Sequence, residues 1–98
     1  MIGLTTGEVG TVKTAIAEAF GAEARVWLFG SRAAGATRGD VDLYVETPSA
    51  VPGGLPAKLA ARRRLEEALH IKVDLVVRAA DEPRTAFDDI ARSTGVPL

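Results

Sequence analysis

The stretch from Val26 to Glu46, VWLFGSRAAGATRGDVDLYVE, constrains the fold more than any other part of the chain. Val26–Phe29 is a bulky apolar run closed abruptly by Gly30, the mark of a strand buried on both faces. Gly30 and Ser31 then permit a tight turn, read as opening into one or two turns of helix through Arg32, Ala33 and Ala34. Such a turn presents free backbone N–H groups, a hydroxyl and the positive end of a helix dipole, a combination suited to phosphate. Ten residues past Gly30 begins Asp40-Val41-Asp42-Leu43-Tyr44-Val45. Alternation along a strand turns Val41, Leu43 and Val45 to the core and places Asp40, Asp42 and Tyr44 together on the other face. Two carboxylates at i and i+2 repel unless a cation lies between them. Hard divalent ions such as Mg²⁺ favour oxygen ligands of this kind and keep phosphate oxygens as further ligands.

The rest of the chain supplies elements around this stretch. Thr5-Thr6-Gly7-Glu8 reads as a capping box, with Thr5 as N-cap and Glu8 at N3. Val9, Val12, Ile16 and Phe20 then recur at helical spacing until Gly21, which predicts a helix over about Thr6–Phe20. Strands are expected at Arg25–Phe29 and Lys72–Arg78. Between them, Thr47–Pro56 holds three prolines and two glycines in ten residues, so it is a surface loop, either bordering a site or simply connecting. A helix over Pro56–His70 is expected to bury Leu55, Leu59, Leu65 and Leu69 with Ala61 and Ala68, leaving Arg62–Glu66 and Arg63–Glu67 as outward pairs. Arg62-Arg63-Arg64 is then a solvated helix face rather than a nucleic-acid patch. His70, the single histidine, takes a structural place at the helix end. Asp81 is expected to cap a last helix, with Pro83 in its first turn and Phe87, Ile90 and Ala91 inward. The apolar tail Val96-Pro97-Leu98 packs on the domain or on a partner.

In the strand at Lys72–Arg78, Val73, Leu75 and Val77 share one face and Asp74 lies on the other. An acid in such a run needs a partner, which is either Lys72 or Arg78, or a metal ion. Ninety-eight residues allow one domain with one core. The absence of cysteine excludes disulfides and thiolate metal sites. A net charge of −1 argues against unspecific nucleic-acid binding, and no apolar run reaches the length of a membrane span, so a cytoplasmic protein is expected. Other phosphate motifs fail. Ala36-Thr37 stands where a P-loop needs Lys-Ser/Thr, and Arg32 interrupts the Rossmann glycine pattern.

Leu28-Phe29-Gly30-Ser31-Arg32-Ala33 and Asp40-Val41-Asp42-Leu43, with Gly35 and Arg38 between them, resemble the signature of the DNA polymerase beta-like nucleotidyltransferases. The closest group is the minimal nucleotidyltransferases, although the chain has one or two residues fewer between the two halves. The resemblance implies an α/β fold, with a small mixed β-sheet and packed helices, over residues 1–98 as a single domain. It implies Asp40, Asp42 and Asp74 as catalytic and metal-binding carboxylates, holding two Mg²⁺ ions with bound nucleotide. Gly30, Ser31, Arg32 and Arg38 would bind the phosphates of ATP or another NTP, Arg32 being equally readable as a surface residue. Tyr44 is either a border of that site or an ordinary strand tyrosine. The resemblance further implies an antitoxin that transfers AMP to a hydroxyl of an all-helical HEPN ribonuclease toxin. A second reading, supported by the shortened spacing, is a catalytically silent module that neutralises its partner by docking alone.

Overall fold

Thr5 starts the first helix by the reciprocal bonding its sequence foretells. Its hydroxyl accepts the Glu8 N–H at 3.1 Å, and Glu8 Oε1 accepts the Thr5 N–H at 2.8 Å. This is a computed structural model, and it describes residues 1–49 and 53–98. The elements run α1 (Thr6–Phe20), β1 (Arg25–Phe29), β2 (Val41–Thr47), α2 (Gly54–Leu69), β3 (Val73–Ala79), α3 (Ala86–Thr94) and β4 (Val96–Pro97). Thus α1 and β1 have the limits expected from periodicity. Gly21 ends α1 at φ 100°, its N–H donating to Ala17 O.

The four strands form one mixed sheet in the order β3-β2-β1-β4. A hairpin makes β1 and β2 antiparallel, whereas β2 and β3 are parallel and joined by α2, the crossover that parallel strands require. The tail packs on the domain itself. It forms β4 against β1, and the Leu98 N–H reaches Val26 O at 2.9 Å.

Alternation then sorts the sheet into two unequal faces. Val41, Leu43 and Val45 are fully buried against α1 and α2 in the main core. The opposite face holds three rows, set by the strand register: Asp74, Asp42 and Phe29; then Val76, Tyr44 and Trp27; then Arg78, Glu46 and Arg25. Among the described residues, α3 covers this second face, seating Ala91 over Trp27 and Tyr44.

Two helices differ from expectation. Helix α2 starts at Gly54, with Pro56 in its first turn, and its inward stripe is Ala57, Ala61, Leu65 and Leu69. Leu55 and Leu59 are 62% and 44% exposed, and Ala68 is exposed as well. Small residues line the contact of the two helices, Ala15 and Ala19 on α1 with Ala57 and Ala61 on α2, so those alanines go inward and the two leucines out. Glu66 accepts the Val73 N–H at 2.9 Å at the start of β3, and Arg64 reaches Glu18 on α1. Those partners replace the expected Arg62–Glu66 pair, and Arg63–Glu67 is likewise absent among the described residues.

Helix α3 starts at Ala86, not at Asp81. Its cap is Thr85, whose hydroxyl accepts the Asp88 N–H at 3.2 Å while Asp88 Oδ2 accepts the Thr85 N–H at 2.9 Å. Asp88 Oδ1 also accepts from Arg78 Nε at 3.1 Å. With Asp88 thus satisfied, the buried residues are Asp88 and Ala91, while Phe87 and Ile90 remain 42% and 58% exposed. No helix among the described residues is long and apolar enough to cross a membrane.

Candidate active site

The segment between β1 and β2 is a pinned loop. After Gly30 the chain makes a single hydrogen-bonded turn rather than a helix, with Ala34 N–H donating to Ser31 O at 3.1 Å and Gly35 N–H to Arg32 O at 3.1 Å. The N–H groups of Ser31, Arg32 and Ala33, at the start of that turn, have no backbone acceptor among the described residues. They are donors of the kind that anions satisfy.

Arg32 holds the loop in place. It is buried, only 6% exposed, and donates from Nε to Gly39 O at 3.0 Å and from Nη1 to Gly3 O at 2.9 Å. Its own carbonyl accepts the Gly3 N–H at 2.7 Å. Gly3 lies so close to the Ala36 carbonyl that any side chain there would overlap it. Arg32 is therefore neither a surface residue nor a free clamp; its guanidinium is spent on two carbonyls that tie the loop to the N-terminal segment. Arg38 lies exposed in the bend before Asp40, and Ser31 is exposed at the turn.

The acids meet where β1 ends and β2 begins. Asp42 pairs in register with Phe29 on one side and with Asp74 on the other. Gly30 has φ 73°, and a Cβ at that position would overlap the Asp42 carboxylate, so the backbone there must be bare for Asp42 to keep its place. Burial first, then the hydrogen bond to Asp74 and the charges of Asp74 and Asp40, raise the Asp42 carboxyl above the ordinary carboxylate range. Carboxylates crowded in this way repel one another, and a cation between them relieves the repulsion. Asp40 stands just before β2, with Lys72 Nζ at 3.9 Å from Oδ2. Among the described residues, no three carboxylate or imidazole groups close into a ready-made metal cage. Asp42 and Asp74 are thus the two facing carboxylates at this end of the sheet, with Asp40 just outside it.

Tyr44 is two residues further along β2 and takes no part in this end of the sheet. It is 1% exposed, donates to Glu46 Oε2 at 3.3 Å, and its hydroxyl is pushed up to about 12 by burial, by Asp88 and by Glu46. The Thr47–Pro56 loop leaves the far end of β2, about 17 Å from Asp42 at the usual rise of a strand. Its described ends, Thr47–Ser49 and Gly53–Pro56, do not border the acids, and residues 50–52 lie outside the described residues. Sequence reasoning missed the aromatic end of this row, where Phe87 meets Phe29 edge-on with ring centroids 5.6 Å apart.

Comparison with known proteins agrees with the fold. The sequence pattern of the nucleotidyltransferase domain matches residues 9–93. No curated protein matches the chain. Similar folds include two crystal structures of mutants of the toxin-antitoxin MntA-HpeT. One is 17% identical with a TM-score of 0.71, covering 96% of this chain and 71% of that one. The other is 20% identical with a TM-score of 0.68, covering 97% and 71%. The three helices and mixed four-stranded sheet are those of the polymerase beta-like nucleotidyltransferase fold. With its pattern matched over most of its length, the chain belongs to the nucleotidyltransferase domain family.

Proposed function

We propose that this protein moves a nucleoside monophosphate, AMP in the first instance, from a nucleoside triphosphate to a hydroxyl of a partner protein in an Mg²⁺-dependent reaction. The observation that carries the proposal is the facing pair Asp42 and Asp74, placed directly beside the bare backbone of Gly30. Two Mg²⁺ ions, when bound with nucleotide, would neutralise the triphosphate and lower the pKa of the attacking hydroxyl. Asp42 and Asp74 would hold them, with Asp40 released from Lys72 to join. The turn N–H groups and the Ser31 hydroxyl would cradle the β- and γ-phosphates, with the exposed Arg38 as a cation beside them. Arg32 would serve by fixing the loop. In the transfer, the acceptor oxygen bonds to the α-phosphorus as the bond to the β-phosphate oxygen breaks. Pyrophosphate leaves, and the acceptor proton passes to Asp74 or to solvent.

The toxin-antitoxin assemblies among the structural neighbours support a toxin as the acceptor, and we take it to be a HEPN-type ribonuclease neutralised by AMP attachment. A second reading, neutralisation by docking alone, draws on the lack of a closed three-acid cage among the described residues. Calorimetry of ATP with and without Mg²⁺ tests the site, and transfer of α-labelled phosphate to the toxin tests the reaction. The transferase proposal expects Asp42→Asn to bind the toxin, transfer no label and lose control of the toxin. Full control by that variant would establish docking instead.

A further inference from the structure

The row that begins with the two acids ends in two aromatic rings, and the site proposed so far uses only the acids. Phe29 is the register partner of Asp42 across the antiparallel ladder, so both side chains stand on the same face of the sheet. Phe29 is half-buried, and Phe87 from α3 packs edge-on against it, which fixes the orientation of both rings. Phe87 is nevertheless 42% exposed, and Ile90, one turn along the same helix, is 58% exposed. Large apolar side chains are exposed elsewhere too, at Leu55 and Leu59 on α2. Those are aliphatic and belong to a helix that covers the opposite face of the sheet. Phe87 is the exposed aromatic ring on the side of the acids. Strand pairing and the 5.6 Å ring separation keep it within about 10 Å of Asp42, a span that the sugar and base of a nucleotide can bridge.

We propose that Phe87, braced by Phe29, is the shelf on which the nucleobase of the bound triphosphate stacks. This rests on the nucleotide-binding function proposed above and adds to it the part of the ligand that the acids and the turn do not touch. Every nucleobase has a π-face, so stacking contributes affinity with little choice among bases. No polar side chain is needed at the shelf for that purpose. The site therefore takes several nucleoside triphosphates with similar affinity, purines somewhat tighter for their larger rings.

The test separates the base from the phosphates. Mg²⁺ with ATP, and Mg²⁺ with inorganic tripolyphosphate, are titrated into the wild type, Phe87→Leu, Phe87→Ala and Phe87→Trp. Phe87→Leu keeps an apolar contact with Phe29 but has no π-face, and melting curves confirm that each variant is folded. The expected result is that ATP binds the wild type more tightly than tripolyphosphate does. Phe87→Leu and Phe87→Ala should lose about tenfold in ATP affinity with tripolyphosphate unchanged, and Phe87→Trp should match the wild type. Unchanged ATP affinity in the folded Leu and Ala variants overturns the shelf and leaves Phe87 as a contact for protein. Equal loss of both ligands overturns it too, since the ring would then act on the phosphate site. Absence of Mg²⁺-dependent binding of either ligand to the wild type overturns the nucleotide function, and the shelf with it.

Discussion

Asp42 stands in register between Phe29 and Asp74, crowded by other acids. Its carboxyl is raised above the usual range by burial and by the neighbouring acids, so folding makes its ionisation harder. For an acid with a raised folded value, the stabilisation is present below the unfolded value and is lost as pH rises through the folded one. Asp42→Asn should therefore melt at a higher temperature than the wild type at pH 7, the difference closing as pH falls towards 4. The same variant should lose at least about 100-fold in transfer, the scale of removing one group that stabilises transition-state charge. Thermal unfolding at the two pH values, beside a transfer assay, checks both. A less stable Asn variant at pH 7 would contradict the mutual repulsion of the acids. Arg32 behaves oppositely because it is a structural cation. Arg32→Ala should cost about 3 kcal/mol in denaturant unfolding by orphaning the carbonyls of Gly3 and Gly39, and Lys should recover little of it, having no fork to span both.

At the level of elements, local rules wrote most of the fold. The Thr5–Glu8 box, the stop at Gly21 and the apolar run before Gly30 are contained in a few adjacent residues, and α1 and β1 fall where those residues put them. The alternation that separates Val41, Leu43 and Val45 from Asp42 is equally local, and it places Asp42 opposite Asp74 once the strands pair. What was not legible depended on distant partners. Arg32 finds Gly3 only after folding. Thr85-x-x-Asp88 competes in sequence with Asp81 and Pro83, and it wins because Arg78, ten residues earlier, neutralises a buried Asp88. Taking α3 from the wrong cap also sent Phe87 inward, which hid the aromatic end of the site. Burial tends to raise Asp88, but the Thr85 N–H, the Arg78 guanidinium and the Thr85 hydroxyl outweigh it and hold the carboxyl below its usual range. Its stabilisation is present above the unfolded value and disappears as pH falls through the folded one. Asp88→Ala should therefore cost about 2–3 kcal/mol at pH 7, with the difference from wild type shrinking in acid, as read by denaturant unfolding.

For the whole molecule, the inequality of the two sheet faces sets how it opens. One face is closed by α1 and α2 over a continuous aliphatic core, while the other is closed by the nine residues of α3 over Trp27 and Tyr44. Elements with few apolar contacts exchange through low-energy openings. In hydrogen exchange, α3 should therefore open before β1 and β2, and its opening should expose Trp27. If the base rests on Phe87, a departing α3 gives up part of the ligand, so nucleotide must resist that opening. The N-terminal turn of α2, with Leu55 and Leu59 already exposed and distant from the acids, has no such linkage. With Mg²⁺ and ATP at a hundred times the dissociation constant, a ligand lost wholly on opening slows exchange by about 100-fold. The α3 amides should gain a large part of that factor, those of the α2 first turn none. Equal rates for α3 with and without nucleotide would mean that the helix leaves a bound ligand undisturbed, confining recognition to the turn after Gly30 and the two acids.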